Sequence, residues 1–210
     1  MAKQSKRSQQ IRAKKNARRQ AKKRTMQTSK TSLSQVGAWP LFDCRIASAW
    51  RDTKMIATIL VARKSPFGQV AMGCFLVDLA CLGVKDAMSR TFSSEGEYED
   101  FCVHLEQRQP LKDCDLDLAA KVIDEATRYA RDLGFAPHRD ARKALPILGN
   151  ADPRNCAETV PLGGDDGKPF YISGPHDNAQ RIIATLVRNV GPGNFHFFAP
   201  VEGSLPPDAV

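Results

Sequence analysis

The chain has 210 residues, 42% of them hydrophobic, and a formal net charge of +8; the roughly 165 residues between its two ends suffice for one domain with a buried core. That charge is segregated: the first 30 residues carry twelve Lys or Arg and no acid, whereas from Asp43 onward nineteen basic and twenty-three acidic residues give a net of −4. No apolar run reaches the ~18 residues of a membrane span, and no apolar stretch of a secretory signal follows the basic start, so the expected setting is the cytoplasm.

Residues 1–38 read as a disordered basic arm and linker. Arg12, Lys14, Lys15, Arg18, Arg19, Lys22, Lys23 and Arg24 alternate with Ala13, Ala17 and Ala21. The composition has helix propensity, but self-repulsion opposes folding until a polyanion neutralises it. Ile11 is the only bulky apolar residue between Ala2 and Arg24, which leaves no amphipathic face for a mitochondrial presequence.

The body opens at Trp39, and the short apolar stretch to Trp50 is expected to cap the core, with both tryptophans as anchors. Two β-rich runs follow, Met55–Arg63 and Gln69–Asp78, joined by Lys64-Ser-Pro-Phe-Gly68 as a hairpin. Both are apolar on either parity, which places them centrally in a sheet covered on both faces. Ser94 and Glu97 form a capping box before a stripe of Tyr98, Phe101, Cys102 and Leu105. A second helix starts at Asp113 or Asp115. It turns Leu116, Ala119, Ala120, Ile123, Ala126, Ala130 and Leu133 inward and stops at Gly134. A shorter helix from Arg139 to Leu145 is cut by Pro146.

The last third predicts another hairpin, Ala157–Leu162 and Lys168–Ser173, around an Asp-Gly turn. Asp177 then reads as the N-cap of a helix over 178–189, with Gln180 three residues on. Gly191-Pro-Gly193 ends that helix before a final strand over 195–198. Residues 200–210, with Pro200, Pro206 and Pro207, read as a disordered tail.

The six cysteines include no C-x-x-C pair and mostly lie in apolar runs, so they are expected as reduced core residues, with no metal and no cofactor. Asp78 and Asp86 bracket a strand end and turn with Lys85 between them. An acid at the end of a central strand beside a lysine is one way that metal-dependent nucleases begin, although Asp86 serves equally as an N-cap. His176 with Asp177 lies at a helix N-terminus, where free N–H groups suit an anion; a Gly-Pro turn with a cap explains the same residues. A Cys81–His176 nucleophilic pair depends on contact geometry.

The arm resembles, in composition only, the basic extensions by which ribosomal proteins thread into ribosomal RNA. The runs over 73–86, 129–138 and 167–177, among them Gly73-Cys-Phe-Leu-Val-Asp78, Tyr129-Ala-Arg-Asp-Leu-Gly134 and Gly167-Lys-Pro-Phe-Tyr-Ile172, resemble parts of an uncharacterised bacterial protein family. That resemblance implies a bacterial origin and assigns no residue roles.

These features predict an α+β domain over residues 39–199, an antiparallel or mixed sheet of about five strands packed by about four helices. The expected function is non-enzymatic association with structured RNA or a ribonucleoprotein, DNA being the alternative polyanion, with the arm as anchor and a protein partner in the same complex. Two rivals are a metal-dependent enzyme acting on nucleic acid through Asp78, Asp86 or His176, and a protein-interaction module that the arm merely localises.

Overall fold

The computed structural model describes residues 36–199. The arm residues Arg12 to Arg24 and the tail over 200–210 lie outside the described residues. Five strands, β1 (Leu41–Ala47), β2 (Ile56–Lys64), β3 (Val70–Asp78), β4 (Gly83–Phe92) and β5 (Leu111–Asp113), form an antiparallel sheet in the order β4-β3-β2-β1-β5. The expected α+β architecture is therefore the observed one.

The hairpin of β2 and β3 lies at the centre of the sheet, as runs apolar on both parities require. On one face Ile46, Ile59, Val61, Phe75 and Val77 pack against helix α3 (Leu116–Asp132) and the short α4 (Ala141–Ala144). On the other, Leu60, Ala62, Met72 and Phe92 meet Tyr98 and Cys102 of α2 (Glu95–Glu106). The one-turn α1 (Trp50–Thr53) buries Trp50 completely in the first core.

Local chemistry sets the helix ends. Ser94 Oγ accepts from Glu97 N at 3.3 Å, and the Glu97 carboxylate accepts from Ser93 N at 3.0 Å. Asp115 caps α3 by accepting from Asp117 N at 2.7 Å, and Gly134, at φ +94°, follows its C-terminus. Of the expected stripe, Ala119, Ala120, Ile123, Ala126, Ala130 and Leu133 are buried and Leu116 is half-buried, while Leu118 and Val122, outside it, are buried as well. The α-helix ends at Ala144, ahead of Pro146 as expected, and Pro146 sits in the 3-10 turn Leu145–Leu148 that follows it directly. In a first turn its missing N–H forfeits nothing.

Three expectations are corrected. The stretch from Trp39 to Trp50 holds β1, which pairs with β2 along one edge and β5 along the other. Asp86 caps no helix: it lies within β4, opposite Leu76. The hairpin over 157–173 does not form. Gly164 N bonds Lys168 O at 2.7 Å, so the turn itself exists, but 157–162 contains no strand. Pro161 has no N–H to give a ladder, and the segment instead docks on the β3–β4 turn through Gly163 N to Leu79 O and Phe170 N to Ala80 O. Strand β6 (Phe170–Ile172) pairs in parallel with β7 (His196–Phe198). Beneath this ribbon Tyr171, Cys81, Leu82, Leu133 and Phe195 form a third cluster with Leu186 of α5 (Ala179–Val190).

Candidate functional site

The β3–β4 turn, the β6–β7 ribbon and the start of α5 bring together most of the residues singled out in the sequence. Asp78 ends β3 and is 4% exposed. Its Oδ1 accepts from Ala80 N at 3.0 Å and Cys81 N at 2.9 Å, closing the turn. Burial pushes its carboxyl up to about 6, against the pull of the Cys81 N–H and of Lys85. The carboxylate is thus committed to backbone donors. Cys81 is fully buried and its thiol is pushed upward, mainly by desolvation, whereas His176 is exposed. Burial therefore separates the two members of the suggested Cys-His pair, and desolvation works against a reactive thiolate.

Lys85 falls at a bulge: Leu76 pairs with Asp86 but Val77 with Val84, so β4 gains a residue there. Its ammonium donates to Asp177 Oδ2 at 2.7 Å, the same oxygen that accepts from Gly174 N at 2.8 Å and from the Tyr171 hydroxyl at 3.3 Å. Burial acts to raise the Asp177 carboxyl, but Lys85 and the Gly174 N–H outweigh it and hold the group below its ordinary value. A Cβ at Gly174 would lie 2.9 Å from Lys85 Nζ and 3.2 Å from Asp177 Oδ2, so a larger residue there would press on the pair. Asp177 is not the helix cap that the sequence suggests. That role belongs to Asn178, whose side chain accepts from Arg181 N at 3.0 Å. With the cap one residue later, Asp177 is free to turn inward.

Asp86 is exposed, with Oδ1 3.4 Å from His138 Nδ1 and accepting from Ala87 N at 2.8 Å. Asp78, Asp86 and His176 thus occupy a buried turn, an exposed strand position and an exposed loop. Among the described residues no three His, Cys, Asp or Glu side chains gather in an arrangement suited to a metal ion, and no helix is long and apolar enough to cross a membrane.

Two arrangements escaped the sequence. Asp43 Oδ2 accepts from Arg45 at 2.6 Å and from the Tyr98 hydroxyl at 2.5 Å, while Arg45 also pairs with Glu106; together they line a shallow groove of about 330 Å³ between β1 and α2. Arg63, 4% exposed, donates to Trp39 O at 2.7 Å, Ile147 O at 2.6 Å and Leu148 O at 2.9 Å, with no carboxylate partner among the described residues. Only the pairing of β1 would have put Asp43 and Arg45 on one face. Nothing in the spacing ties Arg63 to residues more than 80 positions away. No protein-family model, curated protein or solved structure matches the chain.

Proposed function

We propose that this is a nucleic-acid-associated protein of the bacterial cytoplasm, anchored through its N-terminal arm on structured RNA or a ribonucleoprotein. The observation that carries the reading is charge segregation: twelve cations and no acid in the first 30 residues, ahead of a chain that is net acidic from Asp43 onward. Cations of that density exchange the counterions of a phosphate backbone and read little sequence. The way the body begins supports an anchoring role. Val36 is buried, and Gly37 lies so close to Pro146 O that an added Cβ would stand 2.7 Å from it. The arm is joined to a fixed point on the domain.

The test is a salt titration of binding to a structured RNA and to duplex DNA, with and without residues 1–24. If about six to eight cations contact phosphates, log affinity falls with log salt at a slope near −5 to −7 on duplex DNA. Deletion of 1–24 should remove most of that slope while leaving the melting temperature almost unchanged. A truncated chain that binds as tightly and with the same salt dependence would overturn the proposal.

A further inference from the structure

The buried guanidinium of Arg63 carries a charge that the domain does not answer. Its bonds to the carbonyls of Trp39, Ile147 and Leu148 use three N–H groups. A guanidinium has five, so two are left without an acceptor among the described residues. Carbonyl oxygens satisfy donors without cancelling a positive charge. Burial pushes the group below its ordinary value, and no carboxylate offsets that push. An arginine nonetheless stays protonated in a protein, and a buried charge is ordinarily met by an opposite one.

The guanidinium lines a hollow of about 690 Å³ with Gly37, Ala38, Pro146, Gly149 and Asn150, none of them acidic. A Cβ at Gly149 would stand 2.6 Å from Arg63 Nη2, so any side chain there would crowd the charged group. Asn150 is exposed, and its side-chain amide bonds nothing among the described residues.

We propose that this hollow binds a phosphate group, with Arg63 and the Asn150 amide as its donors. Hydrogen bonds from a guanidinium to phosphate are roughly twice as strong as neutral ones. The hollow is far roomier than one oxyanion, which leaves space for whatever the phosphate esterifies. A carboxylate carries the same sign of charge, but the surroundings select phosphate. Gly37 and Ala38 join the domain to the segment with twelve cations, so a polyanion gathered there is delivered beside Arg63. The site itself stands on Arg63; where the phosphate belongs to a nucleic acid, it rests on the reading above and adds a contact made by the folded body.

The experiment follows thermal unfolding of the full chain in chloride, acetate and inorganic phosphate at equal ionic strength. Phosphate should raise the wild-type midpoint progressively with concentration, and acetate should not. Asn150→Asp places a negative charge at the hollow without touching the bonds of Arg63, and should remove the phosphate response; Asn150→Lys should strengthen it. Gln107→Glu, the same charge change at the end of α2 across the sheet, should respond as wild type. An equal rise in wild type and Asn150→Asp is a general salt effect and overturns the proposal, as does an equal rise in acetate. Duplex binding then separates the two sources of phosphate. If the group belongs to a nucleic acid, Asn150→Asp reduces the salt slope by about 0.9, the share of one contact. If the ligand is free phosphate, the slope matches wild type while the protection remains. Should phosphate protect no variant while deletion of 1–24 still removes the salt slope, the hollow is wrong and the arm reading stands. Should phosphate protect and the deletion change nothing, the arm reading fails and the hollow stands.

Discussion

At the scale of single residues, the buried Asp78 and the half-buried Asp177 make opposite predictions. Asp78 has its carboxyl raised by burial to about 6, above the ~3.9 of an unfolded chain. The folded protein therefore holds that proton more tightly than the unfolded one. The stability this group contributes is complete below about pH 4 and is lost as the pH rises through about 6, at most ~3 kcal/mol in all. Asp78→Asn keeps an oxygen for Ala80 N and Cys81 N but cannot ionise. Denaturant melts from pH 4 to 7.5 should show wild type losing stability relative to Asp78→Asn over that interval; parallel profiles would contradict the assignment. For Asp177, with its folded value lowered, the sign reverses. The pair with Lys85 stabilises above the unfolded value and is lost as the pH falls through the folded one. Asp177→Ala leaves Lys85, whose side chain is 20% exposed, without its carboxylate, and should cost roughly 2–4 kcal/mol. Asp177→Asn still accepts from Gly174 N and should cost less, though more than the near-neutral change expected of a helix cap. Urea unfolding of both variants decides between the two roles.

At the scale of elements, helices were legible because their signals are local. The α3 stripe recurs at 3.6-residue spacing and has Asp115 and Gly134 at its ends, so each turn restates the same face. Ile123, 3% exposed within that stripe, should cost about 2–5 kcal/mol as Ile123→Ala. Arg128, whose exposed side chain pairs with Asp124 one turn away, should cost well under ~1 kcal/mol as Arg128→Ala. Similar losses in thermal melts of the two variants would mean the face is misassigned. The central hairpin was legible for the same reason, since β2 and β3 are joined by a short turn. Strand β4 was not. The bulge at Lys85 breaks the two-residue period, so Val84 and Ala87 are both buried though three apart. Strand β5 is three residues long and joins the sheet beside β1, to which no local signal ties it. The parallel ribbon β6–β7 closes a loop of more than twenty residues around α5, whereas an Asp-Gly turn suggests a partner a few residues away. Non-local pairing is what the reading of short segments misses.

At the scale of the whole molecule, charge and layering were visible from composition and periodicity, and the site was not. The sequence brought Asp78, Lys85, Cys81 and Asp177 to notice one by one. Their relationship depends on the β3–β4 turn meeting the ribbon, a contact between segments roughly 90 positions apart. The Asp177 cap was misplaced by one residue because Asp and Asn cap equally well, and burial alone distinguishes them. The Arg63 clamp has a mechanical consequence. A partner that grips the arm and drifts away puts tension on Val36 to Trp39. Arg63 ties Trp39 O to the middle of the sheet, because β2 is laddered to β1 on one side and to β3 on the other. The same guanidinium holds the carbonyls of Ile147 and Leu148 at the far end of the helical layer. The load is therefore carried sideways into the neighbouring strands and the 3-10 turn at once instead of peeling an edge.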